Sequence, residues 1–203
     1  MSGDKNPSVA ILLLAAGESR RMGAQKQLLP INGKPMVRLS AELARRASPG
    51  PLIVVVGSQS EDVTRALDGL DAYCVFNPEW AEGMGASLRQ GVRTLLQRAP
   101  ASAAMMIMLA DQPGISSAHL DALLACHRAH PGQIIASETG GVPQPPALFP
   151  SAWFERLAAL QGDRGARALL REAANDVQLV HTESIRDVDT PGDYDQFISD
   201  TSR

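Results

Sequence analysis

The sequence has few of the features that mark membrane proteins, secreted proteins or proteins stabilised by a structural metal ion. Its two cysteines, Cys74 and Cys126, are too few for a disulfide framework or a structural zinc site. Its longest apolar run is residues 9–16, whereas a transmembrane helix needs about 20 residues. Residues 1–8 lack the basic and apolar regions of a signal peptide, and we expect them to form a disordered tail. These absences predict a cytoplasmic protein that does not act at a membrane.

The chain also lacks a marked excess of charge of either sign. Lys and Arg together number 19 and Asp and Glu number 22, for a formal net charge of −3. A general surface for nucleic acid is therefore not expected, and any anion site must be formed locally. A chain of 203 residues buries roughly 70% of its unfolded surface, so it can form a stable core without disulfide bonds. Its length favours one domain over residues 1–203.

Apolar runs alternate with amphipathic segments along the chain. This alternation predicts an α/β fold of the Rossmann-like type, with a mostly parallel central sheet flanked by helices. Ligands of such sheets bind beyond the carboxyl ends of the strands. A Gly/Pro stretch at 140–146 predicts a loop over the site. We predict strands at 9–14, 52–56, 73–76, 104–109, 133–136 and 177–180, and helices at 36–46, 86–99, 151–160, 165–174 and 191–199, with further helices capped by Ser60 and by Ser116 or Ser117.

The loop after the first predicted strand has the composition of an anion site. Small residues at 15–17 would allow a ligand to approach the backbone, and Arg20, Arg21 and Lys26 follow closely. Loop amides together with these cations could hold phosphates. The loop matches neither a Walker A motif nor the fingerprint G-x-G-x-x-G. The alternative is an ordinary strand-to-helix turn with solvated cations.

Carboxylates occur at two places where a metal site could form. Asp111 follows a buried strand, and Asp187 and Asp189 would share one face of an extended segment. Mg²⁺ prefers one or two carboxylates together with substrate phosphates and water. The alternative for each is a turn or helix cap, and either Asp187 or Asp189 could complete the site. Asp193 lies in the first turn of a predicted helix and suits its dipole.

Two further groups of residues have a functional and a structural interpretation. Gly83, Gly85 and Ser87 precede or begin a helix, where their amides and hydroxyl could hold a base or ribose, or simply start the helix. Cys126 and His130 have metal-ligand spacing on one helix, but no further ligand lies near them in the sequence. We therefore interpret that pair as a helix face.

Four stretches, in this order, resemble the nucleotidyltransferases of the molybdopterin family. The opening motif of that family is L-A-A-G-x-S-x-R-M-G-x-x-K, which residues 14–26 match. The stretches 111–113 (D-Q-P), 162–167 (G-D-R-G-A-R) and 187–191 (D-V-D-T-P) are similar to its cytidylyltransferase branch. The resemblance extends over roughly residues 9–198.

This resemblance implies transfer of CMP from CTP to molybdenum-loaded molybdopterin, with Mg²⁺ as cofactor and release of pyrophosphate. The product would serve molybdenum hydroxylases, so such an enzyme or its chaperone is the expected protein partner. The resemblance assigns Leu14, Ala15, Ala16 and Gly17 to the cytosine, Ser19, Gly23, Gly83, Gly85 and Ser87 to the rest of the nucleotide site, Arg21, Lys26 and Asp111 to catalysis, and Asp111 with Asp189 to Mg²⁺.

The sequence departs from this family at one place, on the acceptor side. Gln144 and Pro145 stand where the family usually has Gly and His. Two other functions therefore stay open. One is a related nucleotidyltransferase that uses another nucleotide, such as GTP, or another phosphorylated acceptor. The other is a maturation factor that binds the nucleotide and does no chemistry.

Overall fold

A computed structural model describes residues 9–19, 21–162, 165–173, 176–183 and 185–201. The expected tail at 1–8 and the expected anion contact of Arg20 lie outside these residues, as do Asp163 and Arg164 of the stretch 162–167. The strands are β1 (Val9–Ala15), β2 (Pro30–Ile31), β3 (Lys34–Pro35), β4 (Leu52–Val56), β5 (Tyr73–Phe76), β6 (Ala104–Leu109), β7 (Ile134–Thr139), β8 (Val142–Pro150) and β9 (Val177–His181). The α-helices are α1 (Met36–Ala47), α2 (Ser60–Arg65), α3 (Met84–Arg98), α4 (Ser117–Ala129), α5 (Phe154–Ala158), α6 (Ala166–Glu172) and α7 (Pro191–Thr201).

Seven strands form one sheet in the order β5-β4-β1-β6-β8-β7-β9. Pairing is parallel from β5 to β6 and between β7 and β9, and only β8 runs antiparallel to its neighbours. The predicted α/β class with a mostly parallel sheet is therefore confirmed. The short strands β2 and β3 form a separate hairpin.

Helices cover both faces of the sheet because the strands are apolar on both sides. Along β1, Leu12 packs into the core layer that includes Leu88 of α3, whereas Leu13 packs into the layer that includes Val37 of α1. This alternation is the two-residue period of a strand. The strand ends between these layers are the parts of the sheet left open to a ligand. None of the described helices is long and apolar enough to cross a membrane.

The predicted loop at 140–146 is wrong for most of its length. Only Gly140 and Gly141 form the turn, with φ of +59° and +82°, and β8 begins at Val142. A two-residue turn with positive φ is the usual connection of a β-hairpin. Pro143, Pro145 and Pro146 of β8 are tolerated because β6 pairs only with residues 147–150 of this strand. The register with β7 also shifts, between Ala136 and Ser137, so this stretch of β8 has a single, interrupted neighbour.

The predicted cap of α4 is confirmed, whereas the predicted cap of α2 is wrong. Ser116 caps α4 by accepting a hydrogen bond from the His119 amide at 3.1 Å. Thr190 and Asp193 bond each other's backbone amides reciprocally at the start of α7, which is a capping-box arrangement. Ser60 is not a cap, because Gln59 occupies that position in a left-handed conformation and Ser60 is the first helical residue.

Candidate active site

A cavity of about 620 Å³ opens at the carboxyl ends of the parallel strands. Its size is typical of small-ligand sites. The loop after β1 forms one wall, the segment from Trp80 to Ser87 a second, and the end of β6 with the segment before α7 a third. The described lining residues are Leu14, Ala16, Gly17, Glu18, Ser19, Arg21, Lys26, Gln27, Trp80, Ala81, Glu82, Gly83, Met84, Ser87, Leu109, Ala110, Asp111, Arg167, Asp187 and Asp189.

The loop after β1 is held in shape by buried Gln27. The Gln27 side-chain amide donates to the Gly17 carbonyl at 2.8 Å. The hydroxyl of Ser19 donates to Gln27 Oε1 at 3.1 Å and accepts from the Lys26 amide, also at 3.1 Å. Ser19 thus links the two ends of the loop by bonding both Gln27 and Lys26.

Lys26 lies between two carboxylates that are distant in the sequence. Its Nζ is 2.6 Å from Asp111 Oδ2 and 2.7 Å from Asp189 Oδ1. Arg21 donates to the other oxygen of Asp189 at 2.8 Å. The Val188 amide donates to the Asp111 carbonyl at 2.9 Å, so backbone pairing fixes Asp189 beside Asp111. The residues predicted to bind phosphate and those predicted to bind a metal ion thus form one charged cluster.

The neighbouring Asp187 has different partners. Its Oδ1 accepts from the Gln112 side chain at 2.8 Å, and its Oδ2 accepts from Arg167 at 3.0 Å. Arg167 also donates to the side-chain oxygen of Gln144 at 2.9 Å. Asp189 rather than Asp187 therefore shares a cation with Asp111, which favours Asp189 as the second carboxylate of a metal site.

Burial and ion pairing act in opposite directions on the charged cluster. Burial, reinforced by Asp187 and Asp189, raises the pKa of Asp111 above its ordinary value, although Lys26 opposes the shift. Burial alone would lower the pKa of Lys26, but Asp111 and Asp189 raise it, so the ammonium stays charged. Burial would raise the pKa of Asp189, but Lys26 and Arg21 hold it below its usual range.

Residues 11–178 match the family model of the MobA-like NTP transferase domain. The chain belongs to the MobA-like NTP transferase family. The match includes the loop after β1 and Asp111, but it ends before Asp187 and Asp189.

Relatives of the MobA-like domain extend over most of the chain. The purine catabolism protein PucB of Bacillus subtilis (strain 168) is 31% identical over 204 residues, covering 94% of this chain and 96% of PucB. Nicotine blue oxidoreductase of Paenarthrobacter nicotinovorans is 32% identical over 176 residues, covering 82% and 83% of the two chains. The crystal structure of Rv0371c from Mycobacterium tuberculosis H37Rv has 30% identity and a TM-score of 0.79, covering 95% of this chain and 98% of the other. The names of these relatives point to different processes, so the reaction must be argued from the site.

The donor set of this MobA-like domain fits a divalent metal ion. Asp111 Oδ1 is buried, and no donor among the described residues bonds it, so its lone pairs are available. The described residues contain no group of three or more His, Cys, Asp or Glu that could hold a metal alone. Two carboxylates suffice for Mg²⁺ when substrate phosphates complete its shell. Rv0371c is also known as a complex with manganese, at 28% identity, a TM-score of 0.75 and coverage of 95% and 98%.

All but three of the predicted site residues line the cavity of the MobA-like domain. Ala15 does not, because alternation along β1 turns its side chain into the opposite core layer. Gly23 does not reach the cavity, and the amide of Gly85 donates instead to the carbonyl of Gly162 at 2.9 Å. Cys126 and His130 belong to no metal-binding group among the described residues.

Sequence reasoning missed Trp80, which lines the same cavity as Asp111 in this MobA-like site. Trp80 packs over Gly57, at the end of β4, where the main chain has no room for a side chain. A Cβ at Gly57 would lie 2.5 Å from the Ala16 carbonyl oxygen and 2.7 Å from Trp80 Cβ. The signal in the sequence that could have indicated this contact was Gly57, because a glycine directly after a buried strand marks a close approach of another segment.

Replacing Gly57 by alanine is expected to weaken nucleoside triphosphate binding by about tenfold, because the methyl would push both Trp80 and the first loop from their positions. Overpacking of this kind costs roughly 1–3 kcal/mol. Calorimetric titration with CTP and GTP measures the change. The matched control is Gly132→Ala, whose added Cβ meets nothing within 4 Å. Unchanged affinity in Gly57→Ala would contradict the placement of the nucleotide against this wall.

Proposed function

We propose that the chain transfers CMP from CTP to the molybdenum-loaded molybdopterin cofactor, forming molybdopterin cytosine dinucleotide and pyrophosphate. The observation that carries the proposal is the cluster of Lys26, Asp111 and Asp189 at one edge of a nucleotide-sized cavity. It is supported by the match to the MobA-like NTP transferase domain and by the resemblance of the sequence motifs to the cytidylyltransferase branch.

In this reaction a phosphate oxygen of the acceptor forms a bond to the α-phosphorus of CTP. The bond from the α-phosphorus to the bridging oxygen breaks, and that oxygen leaves with its electron pair as part of pyrophosphate. The protein contributes alignment and charge neutralisation rather than a covalent intermediate. Lys26 and Arg21 bind the phosphates. To do so, Lys26 gives up its bonds to Asp111 and Asp189. Asp111 and Asp189 hold Mg²⁺.

The charge of the cavity supports a metal-dependent reaction. The described lining has five carboxylates (Glu18, Glu82, Asp111, Asp187 and Asp189) and three cationic side chains (Arg21, Lys26 and Arg167). Such a surface would repel a triphosphate unless further positive charge arrived with it. A divalent ion supplies that charge and stabilises the developing pyrophosphate.

The proposed preference for CTP over GTP rests on the space beside the main chain at Ala16. Ala16 is 5% exposed and lines the cavity, whereas Ala15 does not. One methyl group therefore narrows the space near the backbone, and a pyrimidine fits there more readily than a purine. We expect Ala16→Gly to relax the preference for CTP over GTP, because removing a clash reduces discrimination. The measurement is kcat/KM for each nucleotide in both proteins, and equal use of CTP and GTP by the wild type would overturn the cytidylyl assignment.

The decisive experiment incubates the protein with Mg²⁺, molybdenum-loaded molybdopterin and each nucleoside triphosphate in turn. Mass analysis identifies the product, and pyrophosphate release reports turnover. We expect the cytosine dinucleotide from CTP. Another dinucleotide would identify a related transferase with a different nucleotide. Nucleotide binding without pyrophosphate release would identify a maturation factor that does no chemistry.

A further inference from the structure

A second polar cluster borders the cavity beside the charged cluster of Lys26. It consists of Arg167 on α6, Gln144 on β8, Asp187 before α7 and Gln112 after β6, and we refer to it as the Arg167 cluster. Arg167 Nη2 donates to Asp187 Oδ2 at 3.0 Å and to Gln144 Oε1 at 2.9 Å. Gln112 bonds the second oxygen of Asp187 at 2.8 Å. Side chains from β8 and from the segment before α7 therefore meet at the guanidinium of α6, and Gln112 holds Asp187 in place.

We propose that Arg167 binds the phosphate of the acceptor and that Gln144 is a positioning residue that sets its orientation. This inference rests on the proposed function, because it assigns that reaction's second substrate to a place in the same cavity. The chemical class of ligand is a phosphate monoester, whose geometry matches the planar donors of a guanidinium.

Gln144 and the residues expected around the nucleotide come from different halves of the sheet. The loop after β1 and the segment from Trp80 to Ser87 follow strands β1 and β5, in the parallel half of the sheet. Gln144 belongs to β8, the strand at which the sheet changes to antiparallel pairing. Two substrates that must meet in one cavity can thus enter on different halves of the sheet.

The backbone places this second site next to the reacting groups. Asp187 and Asp189 flank Val188, whose amide bonds the Asp111 carbonyl at 2.9 Å. An anion on Arg167 would therefore lie beside the carboxylates that are proposed to hold the metal. An acceptor oxygen must occupy such a position to attack the α-phosphorus.

The bonds to Arg167 hold the guanidinium without enclosing it. Its side chain is 43% exposed and lines the cavity, and both of its described bonds use the same nitrogen, Nη2. Asp187 already pairs with Arg167, whereas Gln144 is neutral and adds a second bond to the guanidinium without a second negative charge. A carboxylate at this position would hold Arg167 equally well but would weaken its attraction for a phosphate.

Binding and turnover are measured separately in the test. Equilibrium dialysis with molybdenum-loaded molybdopterin needs no chemistry, and calorimetry with CTP reports the nucleotide side. We expect Arg167→Met to weaken molybdopterin binding by about 10- to 100-fold, the usual range for a lost charged hydrogen bond, with CTP binding unchanged. Arg171→Met, on the exposed face of the same helix, is the matched control and should leave both unchanged.

Gln144→Glu distinguishes an oriented cation from a purely structural contact. This variant keeps an oxygen that can bond Arg167, so a structural role predicts unchanged molybdopterin binding. We expect it instead to weaken molybdopterin binding several-fold and to raise the acceptor KM without changing the KM for CTP. The inference would be overturned if Arg167→Met bound molybdopterin normally, or if the wild type did not bind molybdopterin. Binding that depends on Arg167 without product formation would support it and refute the proposed transfer.

Discussion

Asp111→Asn is expected to abolish nucleotidyl transfer while leaving the fold intact. The substitution preserves the shape of the side chain and an oxygen that Lys26 can bond, but it removes the negative charge that a metal ion requires. Loss of a metal ligand removes several kcal/mol of transition-state stabilisation, or a factor of at least 10³ in turnover. Pyrophosphate release in the presence of Mg²⁺ measures this loss.

Two controls make the Asp111 result specific to the metal. Asp121→Asn removes a carboxylate from the exposed surface of α4 and should leave turnover unchanged. Thermal unfolding should show Asp111→Asn folded, because a neutral side chain is less costly to bury than a charged one. Titration of Mn²⁺ in the presence of CTP, followed by electron paramagnetic resonance, should show weakened binding. Near wild-type turnover with an unchanged Mg²⁺ dependence would refute the role of Asp111.

Lys26→Met is expected to have two effects of opposite sign. Turnover should fall by on the order of 10²-fold or more, because a partly buried cation on the reacting phosphates is lost. The affinity for Mn²⁺ without nucleotide should rise, since the ammonium no longer neutralises Asp111 and Asp189. In the wild type, nucleotide should strengthen Mn²⁺ binding by attracting Lys26 away from these carboxylates, and this coupling should be reduced in the variant.

The control for Lys26 is Lys34→Met, which removes an exposed lysine that pairs with Glu42. It should leave both turnover and Mn²⁺ binding unchanged. Unaltered kinetics in Lys26→Met would refute its role in turnover and leave Lys26 as a structural partner of Asp111 and Asp189. A fall in turnover with no gain in Mn²⁺ affinity would mean that the lysine and the metal do not compete for the carboxylates.

The parallel half of the fold could be predicted because its strands are marked by composition alone. Residues 52–56, 73–76 and 104–109 are short apolar runs between polar segments, and the structure has strands with these same bounds. β8 was missed because its prolines are typical of loops. Pro143, Pro145 and Pro146 are compatible with a strand because β6 does not pair with that stretch of β8, which is information that lies outside the segment itself.

In the candidate site, too, some contacts could be predicted from the sequence and others could not. Asp111 and the loop after β1 could be placed together because the carboxyl ends of parallel strands share one edge of the sheet. The contact between Gln144 and Arg167 could not, because it joins β8 to α6 through side chains alone. Likewise, Gln27 gave no signal in the sequence, although its amide bonds the Gly17 carbonyl and shapes the first loop.

The cluster around Lys26 joins residues that are far apart in the sequence. Lys26 and Asp111 are separated by 85 positions, and Lys26 and Asp189 by 163. A nascent chain that has not yet reached residue 187 leaves Lys26 without Asp189. A chain cut before this segment would likewise have no second carboxylate for the metal, whatever the state of its sheet.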